Sequence, residues 1–144
     1  MIDTNRPYSR LAIDIIFTKN KAAMQKAALI RGGDGLALYT DVYTGLTLRG
    51  GDPYDYEHIR SSEELFSKYK AILTDEQIAL VVNCPENVAV TLRAINQSKG
   101  KRRMEDWLSN PANIANYGIN VKLTLTNIKR ADDGILRMVE SLRK

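Results

Sequence analysis

One cysteine and one histidine among 144 residues already exclude several kinds of protein. Cys84 has no second thiol to pair with, so no intramolecular disulfide forms and nothing points to an oxidising compartment. A single Cys and a single His also exclude a structural zinc site of the Cys/His type. No apolar run approaches the length of a membrane span. The opening Met1–Arg6 is too polar for a signal peptide, so a cytoplasmic chain with no membrane contact is expected. There is no repeat and no low-complexity linker, which leaves a single domain over 1–144. A chain of this length buries roughly 68–70% of its unfolded surface. Neither sign of charge dominates, since 21 Lys+Arg against 17 Asp+Glu give a net charge of +4.

The charge present is unevenly placed. Residues 93–103 carry Arg93, Lys99, Lys101, Arg102 and Arg103 with no acid, while 52–64 hold Asp52, Asp55, Glu57, Glu63 and Glu64. Charge runs are usually solvated faces. Side by side, however, such runs also suit a metal-dependent phosphodiester site, where cations hold the polyanion and carboxylates hold the ion.

Apolar spacing over 9–30, interspersed with Lys19, Lys21 and Lys26, predicts one or two basic amphipathic helices ending at Gly32-Gly33. Leu36–Tyr39 and Leu46–Leu48 read as short strands about a tight turn at Asp41–Gly45. Residues 61–80 read as two helices, with Ser61 or Ser62 capping the first and Thr74-Asp75-Glu76-Gln77 opening the second. Val88–Thr91 suggests a brief strand, followed by a helix from about Thr91–Leu92. Met104–Leu108 and Ile135–Leu142 read as helices, with Ile119–Leu125 extended between them and Trp107 in the core.

The residues that could carry chemistry begin with Glu57-His58. A neutral imidazole takes a proton from water near neutral pH. A Mg²⁺-like ion needs only a few oxygen ligands besides water, and Glu57 offers a carboxylate while Asn96 offers an amide oxygen. Neighbours in a regular strand face opposite ways, so Glu57 and His58 share a site only at a strand end, bulge or irregular turn. Asp55 lies on the Glu57 face as a reserve ligand. On the following helix Arg93, Asn96 and Lys99 share one face, with Leu92 and Ile95 inward. Asn87, bonded to nearby backbone or to the imidazole, would fix the ring. Taken singly, each asparagine is more often a turn or cap residue.

The ordered set Asp41-x-x-Thr44-Gly45, Tyr56-Glu57-His58-Ile59, Glu86-Asn87-Val88-Ala89-Val90-Thr91 and Asn96-x-x-Lys99-Gly100 resembles the HNH endonuclease family over about residues 39–108. The resemblance implies an α+β fold with a ββα-metal (His-Me finger) core, flanked by extensions at 1–35 and 109–144. It implies a nuclease cutting DNA with one divalent cation, Mg²⁺ or alternatively Mn²⁺. His58 would be the general base supported by Asn87, and Glu57 and Asn96 the metal ligands. Arg93, Lys99, Lys101 and Arg102 would hold the nucleic-acid backbone. Glu57 stands where Asp is commoner, and the family's zinc-binding cysteine pairs are absent, so packing by Tyr39, Tyr43 and Tyr54 is expected to hold the finger. The alternatives are a nucleic-acid-binding module with an inactive site and an RNA-cleaving or toxin nuclease.

Overall fold

The apolar positions of Leu11–Gly32 form one helix, α1, in a computed structural model that describes residues 1–144. After it, β1 (Leu38–Thr40) and β2 (Thr47–Arg49) pair antiparallel, Thr40 opposite Thr47. The turn between them is built on the buried carboxylate of Asp41. It accepts from the backbone N–H of Tyr43 (2.8 Å), Thr44 (3.2 Å) and Leu92 (2.9 Å), and from the Thr91 hydroxyl (2.9 Å). Gly45 completes the turn at φ 76°, where a side chain would strain the backbone. Hydrophobic packing was the expected substitute for zinc. Tyr43 is buried there, and two of the four hydrogen bonds to Asp41 tie the turn to the strand that carries Thr91 and Leu92.

That strand is β4 (Val88–Leu92), paired antiparallel with β3 (Tyr54–His58) in unbroken register from Tyr54↔Leu92 to His58↔Val88. β4 runs straight into α4 (Arg93–Lys99), which packs on both strands. Between β3 and β4 the chain makes α2 (Ser62–Tyr69), α3 (Asp75–Val82) and a 3-10 turn, Pro85–Asn87. Both helices start at caps the sequence announces. Ser61 accepts from the Glu64 N–H, and Thr74 with Gln77 closes a capping box.

α5 (Met104–Leu108), α6 (Pro111–Tyr117) and α7 (Val121–Leu142) complete the chain. The extended segment expected over Ile119–Leu125 is a correction, because α7 starts at Val121. Its Asn120 cap accepts from the Leu123 N–H, and its buried residues Thr124, Ile128, Ala131, Ile135 and Val139 follow helical spacing. α6 was not anticipated at all.

Seven helices and two small antiparallel sheets make an α+β fold. One core cluster joins α1, α2, α3 and α7 through Ile13, Leu65, Phe66, Ile78, Val82 and Ile135. A second surrounds buried Trp107 with Tyr43, Ile59, Ile95 and Ile128. Complete burial of each such aliphatic side chain contributes about 1.5–3 kcal/mol. No helix is long and apolar enough to cross a membrane.

Candidate active site

β3 has β4 as its only paired strand, and a cleft of about 280 Å³ lies at its C-terminal end. Tyr56, Glu57 and His58 line it from β3, Asn96 and Lys99 from α4, and Phe17 from α1. Of the strand end, bulge or irregular turn expected at Glu57-His58, the structure has the strand end: the ladder is regular through both, and His58 is the last residue of β3. By strand alternation their side chains leave opposite faces. Both nevertheless line the cleft, which lies where β3 ends.

His58 is held by a residue that the sequence reading passed over. Its Nε2 lies 2.9 Å from Asn83 Oδ1. The Asn83 amide nitrogen donates to the backbone oxygens of Ile13 (3.0 Å) and Ala79 (2.9 Å), so its oxygen must face the ring. The bond is therefore Nε2–H to oxygen, and Nδ1 keeps its lone pair. No protein group bonds Nδ1, and it is not sealed from the cleft. The Phe17 ring lies against the imidazole, with centroids 4.2 Å apart. Burial lowers the ring to about pKa 4. The Asn83 bond and Asp14 oppose this, while Arg10 and Lys99 add to it.

Glu57 is 5% exposed. One carboxylate oxygen accepts a hydrogen bond from the Tyr43 hydroxyl and lies 3.5 Å from Lys99 Nζ, while the other, Oε2, is buried with no partner. Burial raises this carboxyl above its ordinary value, against the opposing pull of Lys99 and Tyr43. Burial also raises the Tyr43 hydroxyl well above its usual range, with the Glu57 charge adding to it, so Tyr43 stays a donor.

The other expected site residues divide. Asn96 reaches the cleft, and its amide nitrogen donates to Asp55 Oδ2 (3.0 Å), leaving the carbonyl oxygen uncommitted to any side chain. Asn87 does not touch the imidazole. Its oxygen accepts from the Arg60 N–H (2.7 Å) and its nitrogen donates to the carbonyls of Arg60 (3.1 Å) and Val82 (2.8 Å). It thus fastens the chain just beyond His58 to the end of α3.

Lys99 is not an exposed cation, because its ammonium is buried on Glu57. The rest of the basic strip pairs with the acidic cluster: Arg93 with Asp55 (2.9 Å), Lys101 with Glu63 (3.1 Å) and Arg103 with Glu64 (3.3 Å). Arg102 is exposed and makes no ion pair. These surface pairs are each worth about 0–1 kcal/mol and exchange readily for other anions.

No group of three or more His, Cys, Asp or Glu side chains is placed to hold a metal ion. A hard cation that retains most of its waters needs fewer ligands. The orphaned Glu57 oxygen is a buried polar atom without a partner, and Asn96 lines the same cleft with a neutral oxygen, so oxygen donors of the kind such an ion takes are present.

No family model, curated protein or solved structure matches the chain.

Asn83 and Phe17 give no local signal. Asn83 reads as an ordinary helix end before Cys84-Pro85, and Phe17 as one apolar position of α1. Only the docking of α1 on α3, beside the end of β3, brings them to His58.

Proposed function

We propose that the chain is a divalent-cation-dependent endonuclease that hydrolyses phosphodiester bonds in DNA, with β3, β4 and α4 as a ββα-metal core. The observation that carries this reading is an imidazole with a free Nδ1 lone pair, on the same cleft edge as a buried carboxylate with an unpartnered oxygen. The resemblance over residues 39–108 supports it, and Glu57 and His58 of β3 and Asn96 of α4 line one cleft.

His58 Nδ1 accepts a proton from a water attacking phosphorus. The new phosphorus–oxygen bond forms in line with the one that breaks, and the leaving oxygen takes a proton from solvent. The ring starts neutral at physiological pH, and a phosphate anion in the cleft raises its proton affinity as the reaction proceeds. Glu57 and Asn96 would hold a Mg²⁺ or Mn²⁺ ion, which supplies charge stabilisation for the phosphoryl oxygens and the leaving group. Tyr43 and Lys99 keep the Glu57 carboxylate aimed. Arg93, Lys101 and Arg102, all exposed, exchange surface ion pairs or solvent for backbone phosphates.

The test is incubation of supercoiled plasmid with the protein plus Mg²⁺ or Mn²⁺, a chelator control and a parallel RNA substrate. Cleavage is expected with metal only. It should vanish in His58→Ala, and in Asn96→Ala it should require more Mg²⁺. Undiminished cleavage by His58→Ala would overturn the assignment. DNA binding without cleavage at any metal concentration would favour the inactive binding module.

A further inference from the structure

We infer that Asn83 is the positioning residue of the site: it locks the His58 ring in the Nε2–H tautomer and so delivers the Nδ1 lone pair to the cleft. The inference about kcat rests on the nuclease reading, whereas the tautomer does not.

Asn83 is 3% exposed, and its carboxamide leaves no room for the opposite orientation. Turning the amide over would set its oxygen against the carbonyls of Ile13 and Ala79, and its NH₂ against the ring. Two repulsive acceptor pairs inside the protein would replace two hydrogen bonds. An unmade bond at a buried polar group costs about 1–3 kcal/mol. The orientation is therefore imposed by α1 and α3 rather than by the histidine. α1 secures the residue twice, because the Asn20 amide also donates to the Asn83 carbonyl (3.0 Å).

The fixed oxygen then dictates the ring. A neutral imidazole carries one N–H, and placing it at Nδ1 would turn the Nε2 lone pair toward the Asn83 oxygen at 2.9 Å. Phe17 covers one side of the ring and restrains its rotation. The charged groups around it, Arg10 just ahead of α1, Asp14 of α1 and Lys99 of α4, are not hydrogen-bonded to the imidazole. Asn83 alone makes the choice between the two nitrogens.

Because His58 is the only histidine, histidine-selective ¹⁵N labelling of the full chain gives one ring and no assignment problem. At pH 7.5 the expected spectrum has a lone-pair nitrogen at Nδ1 and a protonated nitrogen at Nε2. Asn83→Ala should release the ring to a mixture of tautomers and lower kcat roughly 10–100-fold, with KM changed by less than about twofold.

A wild-type ring protonated at Nδ1 would overturn the inference, as would an Asn83→Ala protein with an unaltered single tautomer. If Asn83→Ala does not fold, the wild-type spectrum decides, and a mixture of tautomers there counts against the role. A wild-type Nε2–H ring in a protein that cuts nothing would leave the tautomer lock standing and remove the nuclease reading.

Discussion

His58 and Glu57 are neighbours whose environments move them in opposite directions. Burial lowers the imidazole to about 4 and raises the carboxyl. The consequence for stability follows from proton linkage. With an ordinary value of 6.5, the unfolded ring binds its proton first on acidification, while the folded ring stays neutral until about pH 4. The stabilisation is fully present above pH 6.5 and declines as pH falls toward 4, by roughly 3 kcal/mol in total. Glu57 acts with the opposite sign, its stabilisation growing as pH falls, so the histidine contribution is the difference between wild type and His58→Gln. Urea unfolding at pH 4.5 and 7.5 should show a clearly shallower pH dependence in the variant. Identical pH dependence in the two proteins would contradict the buried, neutral ring.

Among the elements, α7 shows both what the sequence makes legible and where reading it stops. Helices with local punctuation were readable: Ser61 and Thr74 announce α2 and α3 because a cap and its partner lie three residues apart. Val121, Leu123 and Leu125 alternate with polar residues and so imitate a strand. Packing against the Pro85–Asn87 turn and α3 overrides that pattern, and Val121 and Leu125 end up exposed. In the site, Glu57, His58, Asn96 and Lys99 were legible as a spaced pattern. The Asn83 bond joins residues 25 apart and was invisible until α3 docked.

α7 passes the turn at Gly134, where an added Cβ would lie 2.7 Å from the Glu86 Cβ. Gly134→Ala gains up to about 1 kcal/mol of helix propensity. Overlap in a packed contact costs about 1–3 kcal/mol, so the clash wins and a net loss of about 1 kcal/mol or more is expected. A lower urea midpoint with an unchanged m-value checks it.

Across the whole molecule, one cation ties the site to the C-terminal helices. Arg60, 3% exposed and two residues beyond His58, binds Glu105 of α5 through two bonds (2.7 and 2.8 Å) and Asp132 of α7 through two more (2.8 and 2.9 Å). The Arg60 guanidinium holds the Glu105 carboxyl down at about 2. Arg60→Met removes these charge-assisted bonds but leaves both acids facing solvent. A loss of about 2–3 kcal/mol is expected, against less than about 1 kcal/mol for the exposed Lys101→Ala. Chemical denaturation of the two variants makes the comparison, and equal losses would argue against a structural role for the clamp.

The longest-reaching feature is the interruption of the β3–β4 pair by residues 59–87, two helices and a turn. His58 meets Val88 only after that length of chain has closed into a loop, so the pairing is non-local and its entropy is lost before any ladder bond forms. Asn83 and Asn87, which orient the imidazole and fasten the strand end, belong to the same closing segment. The cleft is therefore assembled at loop closure, late in folding. A refolding chain should recover helical circular dichroism before the tautomer and activity that depend on the cleft.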